Sequence, residues 1–322
     1  MHKNREKSFV KNTVIITIGK ICTQLLSFFL LPLYTNILST AEYGIFDLIH
    51  TIVTLLCPII TLQLGLAVFR ELLDARYNKN IKNNIISSSL IITIVQCFCI
   101  LVIFVFIAPF VNNEYKLFLI INLITAVFSA LFLQIARGLG NNKDYAIGSF
   151  ISAGSIVVLN VIFLVIFKIG LNGMLVATIL GQLFCVIYLF FKLKLYKNIK
   201  IKYFDKQKVI DMLKYSIPLV PNELSWWVFS ASDRLIVSII LSVATTGILS
   251  AATKFPALIT TLYGIFYLSF LENILLHTKD SDFEEYYMKM FNVSKMLPMA
   301  LFCAGVVACG SAISNHNDSN ET

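Results

Sequence analysis

Long apolar runs separated by short polar turns dominate this chain. A helix that crosses bilayer hydrocarbon needs about 20 mainly apolar residues. Nine stretches meet that length, roughly 9–36, 42–70, 84–111, 115–136, 145–167, 171–191, 214–241, 245–276 and 291–313. Helix is the expected state of each, because backbone facing lipid must satisfy its own hydrogen bonds. The period-2 alternation of a membrane barrel is absent. The turns "STAEY", "NNEY", "KIG" and "SVATT" are too short to hold a folded domain. The one sizeable connection, "KLKLYKNIKIKYFDKQKVIDMLK" (Lys192–Lys214), is polar and basic and reads as a solvated linker lying against anionic headgroups. The expected organisation is an N-terminal segment over 1–8, six spans over 9–191, a linker over 192–213, three spans over 214–313 and a polar tail over 314–322.

The two halves carry a repeat. At an offset of 203 residues, "NILSTAEYGI" (Asn36–Ile45) lies without gaps over "IILSVATTGI" (Ile239–Ile248), with six of ten positions identical. Both copies fall in the turn between the first and second span of a half. Six spans separate the two copies, so the halves share one orientation. Parallel repeats about an axis along the membrane normal occur in transporters whose substrate binds between the halves.

Composition supports the membrane reading. Hydrophobic residues make up 57% of the 322 and charged ones 14%, where a soluble domain carries about a quarter charged residues. The net charge of +8 reports loop topology rather than nucleic-acid binding. With the N-terminus inside, inner segments hold 21 basic residues and outer loops only Lys116 and Lys168. That excess predicts a cytoplasmic N-terminus in a plasma (inner) membrane. The seven cysteines lie within apolar segments and lack the paired spacing of a zinc or redox site. No nucleotide-binding motif occurs, and no cofactor is expected.

Charges inside spans cost about 2.5–3.5 kcal/mol each on insertion scales and mark cavities or partners. The basic candidates are Lys20, Arg234 and Lys254, and the acidic candidates are Asp47, Glu223 and Asp233. Neighbours on a helix point about 100° apart, so Asp233 and Arg234 cannot neutralise each other well. Either Asp233 pairs with Lys254 across the hairpin and Arg234 faces a cavity, or the reverse holds. The repeat offset places Lys20 on Glu223, which puts opposite charges at matching heights on the first helix of each half. Asp47 sits about five residues into its span and is expected to be solvated or capping. Pro218 and Pro221, in "SIPLVPNE", interrupt the start of span seven, where freed carbonyls can bind a cation or allow bending.

"LPLYTNILSTAEYGIFDL" (Leu31–Leu48) and "YSIPLVPNELSWWVFSASDRLIVSIILSVATTGILSAATKF" (Tyr215–Phe255) resemble the corresponding hairpins of the bacterial polysaccharide transporters, the O-antigen flippases. These belong to the multidrug/oligosaccharidyl-lipid/polysaccharide exporter superfamily. The resemblance implies an all-α polytopic membrane protein, a two-lobed exporter-type bundle working by alternating access. Its implied cargo is an undecaprenyl-diphosphate-linked oligosaccharide, with membrane lipid and other polysaccharide-assembly proteins as surroundings. Lys20, Arg234 and Lys254 would receive the diphosphate, and Asp233, Glu223 or Asp47 would couple an ion gradient or pair charges. Such a second lobe has six or more helices. Only three are read here, so a complete six-helix N-lobe and a partial three-helix C-lobe are expected, as in a C-terminally truncated product, with a non-functional fragment as one alternative. Drug/cation antiporters favour acidic cavities, against the three in-span bases. A lipid-linked peptidoglycan-precursor flippase is the nearer alternative. A polymerase would need a large basic outer loop, and none is present.

Overall fold

The computed structural model describes residues 30–75, 78–110, 114–197 and 201–253, with isolated positions 257, 260, 284, 288, 291 and 292. Among the described residues, five helices are long and apolar enough to cross a membrane: Thr40–Thr61, Lys79–Ile107, Lys116–Gly138, Asn142–Ile166 and Leu171–Lys192. The chain is an all-helical, multi-pass membrane protein. Lys20 and Lys254, most of spans one and eight, and all of the last span beyond 292 lie outside the described residues.

Helix α1 (Leu31–Ile37) opens on Pro32, where a missing N–H costs nothing. The chain turns at Leu38-Ser39 into α2 (Thr40–Thr61). The Ser39 hydroxyl accepts from Glu42 N at 3.2 Å, and the Glu42 carboxylate accepts from Ser39 N at 2.9 Å, a reciprocal capping box. Beyond Thr61 the expected single span 42–70 is corrected. Leu62 (φ 49°) and Gln63 (φ 54°) are both left-handed, and they separate α2 from α3 (Leu64–Asp74). Hydropathy could not reveal this elbow, because "TLQLGLAV" stays apolar through it.

Helix α4 (Lys79–Ile107) is capped by Asn78, and α5 (Lys116–Gly138) follows. Helix α6 (Asn142–Val161) ends in a π turn over Ile162–Ile166, and α7 is Leu171–Lys192. Two 3-10 turns, Leu195–Lys197 and Ile201–Tyr203, lead to α8 (Lys206–Ser216). Helix α9 (Leu219–Ile240) and α10 (Val243–Thr253) form the second copy of the repeat hairpin.

Lipid tails are as apolar as leucine, so packing rather than water exclusion holds such helices together. The largest core gathers Leu64, Val68 and Leu72 of α3 with Ile85 and Ile86 of α4, Ile135 of α5, Leu189 of α7 and Met212 of α8. Met212 is fully covered. The linker 192–213 is therefore not simply a solvated loop: its last third is an amphipathic helix docked beneath the bundle. Two polar ties secure it. Asp205 N donates to Ser88 Oγ at 2.9 Å, and Lys208 Nζ lies 3.0 Å from Glu71 Oε2. The Glu71 carboxylate holds the Lys208 ammonium above its ordinary pKa. By contrast, α9 buries none of its residues, and its apolar faces, Phe229 and Ile239 among them, are open.

Candidate functional site

One line of polar groups runs along the seam where α2 faces α9. On α2 they are Asp47, Thr51, Thr54 and Thr61, spaced by four, three and seven residues, which keeps them on one helical face. On α9 they are Glu223, Trp227 and Arg234, spaced by four and seven. Arg234 meets Asp47, and Trp227 meets Thr51 and Thr54, so the two helices run antiparallel.

Arg234 Nε lies 3.4 Å from Asp47 Oδ2. Its N–H is not aimed to make a hydrogen bond, so the contact is an ion pair held by charge. Ser250 Oγ of α10 donates to the same carboxylate oxygen at 2.6 Å. Asp47 is only 6% exposed. This corrects the expectation of a solvated or capping Asp47: its helix is capped by Ser39, and Asp47 lies two turns deeper. Trp227 Nε1 donates to Thr54 Oγ1 at 3.2 Å and to Thr51 O at 3.3 Å. Asp233 turns away, as the helical angle requires. It is exposed, and its carboxylate accepts from its neighbour's backbone N at 2.8 Å.

The repeat hairpins meet beside this pair. A Cβ built on Gly44 would overlap the carbonyl oxygen of Val243, and one built on Gly247 would overlap that of Thr40. Under the 203-residue offset Gly44 is equivalent to Gly247, and Thr40 to Val243. The same contact is thus made twice, as a two-fold axis between α2 and α10 generates. Only residues without a side chain allow the backbones this close. Asp47 and Ser250 are also offset equivalents, |i−j| being 203, and they touch each other on that axis. Ser242 Oγ accepts from Thr245 N at 3.1 Å and caps α10 as Ser39 caps α2.

Away from the crossing, Glu223 lines a cavity of about 330 Å³ with Thr54, Thr61, Gln63, Thr93 and Gln134. Among the described residues the Glu223 carboxylate has no hydrogen-bond or salt-bridge partner, so it is open to whatever enters. Pro218 caps α9 and Pro221 lies in its first turn, so the prolines mark the joint between α8 and α9. Of the expected residues, the structure brings Asp47 and Arg234 together, sets Glu223 apart from them on a cavity and leaves Asp233 outside. Thr51, Thr54, Trp227, Gln63, Gln134 and Ser250 were not anticipated. The heptad-like spacing of polar residues from Asp47 through an apolar span was the signal for the first two. Among the described residues no cluster of His, Cys, Asp and Glu could hold a metal ion.

This arrangement of helices is similar to several solved transporters. A MATE crystal structure in complex with Br-NRF aligns over 92% of this chain and 73% of its own, with 17% identity and a TM-score of 0.60. An outward-facing multidrug resistance MATE family transporter of the MOP superfamily aligns over 93% and 77%, at 16% identity and 0.60. An inward-facing one aligns over 92% and 72%, at 14% identity and 0.64. The fold is therefore that of the MATE-type membrane transporters. No curated protein matches the sequence. The polysaccharide biosynthesis protein family matches residues 9–269, and the chain belongs to that family.

Proposed function

We propose that this protein flips a lipid-linked oligosaccharide, an undecaprenyl-diphosphate-linked repeat unit, from the cytoplasmic to the periplasmic leaflet of the inner membrane by alternating access. The observation that carries the reading is Arg234 placed in the seam between the repeat hairpins and held there by Asp47. A guanidinium stays charged at any working pH and binds carboxylate or phosphate with the same donor fork. Asp47 and a diphosphate therefore compete for one partner. With the hairpins crossed at Gly44 and Gly247, Asp47 holds Arg234. An arriving lipid diphosphate takes Arg234, frees Asp47 and loosens the crossing. Lys20 and Lys254, which lie outside the described residues, are the further diphosphate ligands expected from the sequence, and the prenyl tail stays in lipid. An ion gradient acting through Asp47, Glu223 or Asp233 drives the cycle.

The test is complementation of a strain lacking its own O-antigen flippase, read as surface polysaccharide. The unaltered chain is expected to restore it. Arg234→Ala/Lys254→Ala is expected to lower it at least tenfold, as befits the loss of charge-assisted hydrogen bonds worth about 1.5–3 kcal/mol each. Failure of the unaltered chain, or full activity of the double variant, overturns the reading.

A further inference from the structure

The cavity on Glu223 takes no part in the Asp47–Arg234 exchange, and its chemistry differs from that of the seam. Its polar lining is two amides (Gln63, Gln134), three hydroxyls (Thr54, Thr61, Thr93) and one carboxylate (Glu223), set among apolar residues such as Leu64 and Val127, with no base among the described lining residues. The polar side chains come from five elements: α2, the elbow, α4, α5 and α9. The elbow itself helps build the site. The left-handed pair Leu62-Gln63 brings Gln63 into the lining, and Gly65 just beyond it leaves room for Gln134, whose Cγ would lie 3.2 Å from an added Cβ. Trp227, hydrogen-bonded to the lining Thr54, couples the cavity wall to α9.

We infer that this cavity is the sugar subsite of the transporter, a pocket for an uncharged or amino sugar of the lipid-linked cargo. The inference rests on the flippase reading above and deepens it. A diphosphate would be repelled by Glu223 and would meet no cation among the described lining residues. Sugar hydroxyls both donate and accept, as the amides and hydroxyls do, and a carboxylate accepts from adjacent hydroxyls or from a sugar amine. Small-ligand pockets begin at about 300 Å³, so about 330 Å³ suits one sugar unit rather than a long chain. Glu223 and Arg234 are eleven residues apart on α9, about 16 Å along the helix. Sugar and phosphate are thus read at separate stations on one rod. A site built to hydrogen-bond hydroxyls rejects ligands that lack them, so this pocket sets which sugar is accepted.

The chain contains two tryptophans, Trp226 and Trp227, so Trp226→Phe leaves Trp227 as a single fluorescent reporter beside the pocket. The full-length protein in nanodiscs is titrated with polyprenyl diphosphate and with polyprenyl diphosphate bearing one hexose. The hexose-bearing lipid is expected to bind at least tenfold more tightly. Glu223→Gln and Gln63→Ala/Gln134→Ala are each expected to reduce that preference about tenfold and leave the affinity for the sugar-free lipid unchanged. Equal binding of the two lipids by the parent protein, or equal weakening of both by the variants, overturns the subsite and leaves the flippase reading standing. Binding of neither lipid removes both. A Trp227 response to sodium chloride alone, lost in Glu223→Gln while the sugar preference persists, makes the pocket a cation site and overturns the proposal.

Discussion

The two hairpins of the repeat have the same frame and different polar contents. Each opens with a capping serine, Ser39 or Ser242, and each approaches the other through a glycine, Gly44 or Gly247. At the position facing the axis one copy has Asp47 and the other Ser250. At the third helical position one has Glu42, which completes a capping box, and the other Thr245. The shared residues do the work of shape. The differing residues place a single negative charge on the axis, where a symmetric pair of aspartates would repel each other. One carboxylate can be neutralised by the single Arg234; two could not.

That contrast can be broken in order of expected effect. Replacing Gly44 with Val drives a branched side chain into a backbone carbonyl that cannot yield, and Gly247→Val does the same from the other side. Each is expected to cost about 3 kcal/mol and to abolish surface polysaccharide in the complementation strain. The two losses should match; a loss at only one position would refute the two-fold contact. Next comes Asp47→Ser, which makes the copies alike and strands Arg234. Removing one partner of a dry ion pair costs about 3–5 kcal/mol. Arg234 keeps 24% side-chain exposure, so about 2 kcal/mol is expected in thermal unfolding in detergent, and Asp47→Ser/Arg234→Met should recover most of it.

The caps come third. Ser39→Ala and Ser242→Ala each remove an acceptor for a helix-terminal N–H, at about 1 kcal/mol. Glu42→Ala should cost more than Thr245→Ala, because only Glu42 returns a bond to the backbone N–H of its capping serine. Equal melting-temperature losses would mean the reciprocal bond contributes nothing. The smallest effect belongs to the wet counterpart of the dry pair, Lys208–Glu71 on the docked helix. Lys208→Met is expected to cost about 0.5 kcal/mol. The raised Lys208 pKa fixes the sign of its pH dependence: the contribution is full below the ordinary lysine pKa and fades as pH rises through the higher folded value. Melting temperatures of parent and variant should therefore converge at strongly alkaline pH.

Much of the scaffold was legible beforehand, for reasons that show where legibility ends. Apolar runs mark spans because lipid forbids anything else, and the 203-residue repeat pointed to the residues that meet at the crossing. The elbow at Leu62-Gln63 was hidden because neither residue is glycine or proline and the apolar run does not dip there. The docked helix Lys206–Ser216 was hidden by its many charges, since only Val209, Met212 and Ser216 face inward. The Asp47–Arg234 pair could not be foreseen from hairpins, because α2 and α9 are far apart in sequence and lie together only through the fold. The heptad spacing of Asp47, Thr51, Thr54 and Thr61 was the available hint.

The crossing at Gly44 and Gly247 has one more consequence. A contact that maps onto itself under a half-turn needs no second kind of surface. Two separate half-length chains bearing only the first hairpin could dock by the same patch, each glycine seated on the other's carbonyl. The two hairpins of this chain thus meet as the equivalent surfaces of a two-fold dimer would. Asp47 facing Ser250 is an asymmetry that such a joint tolerates.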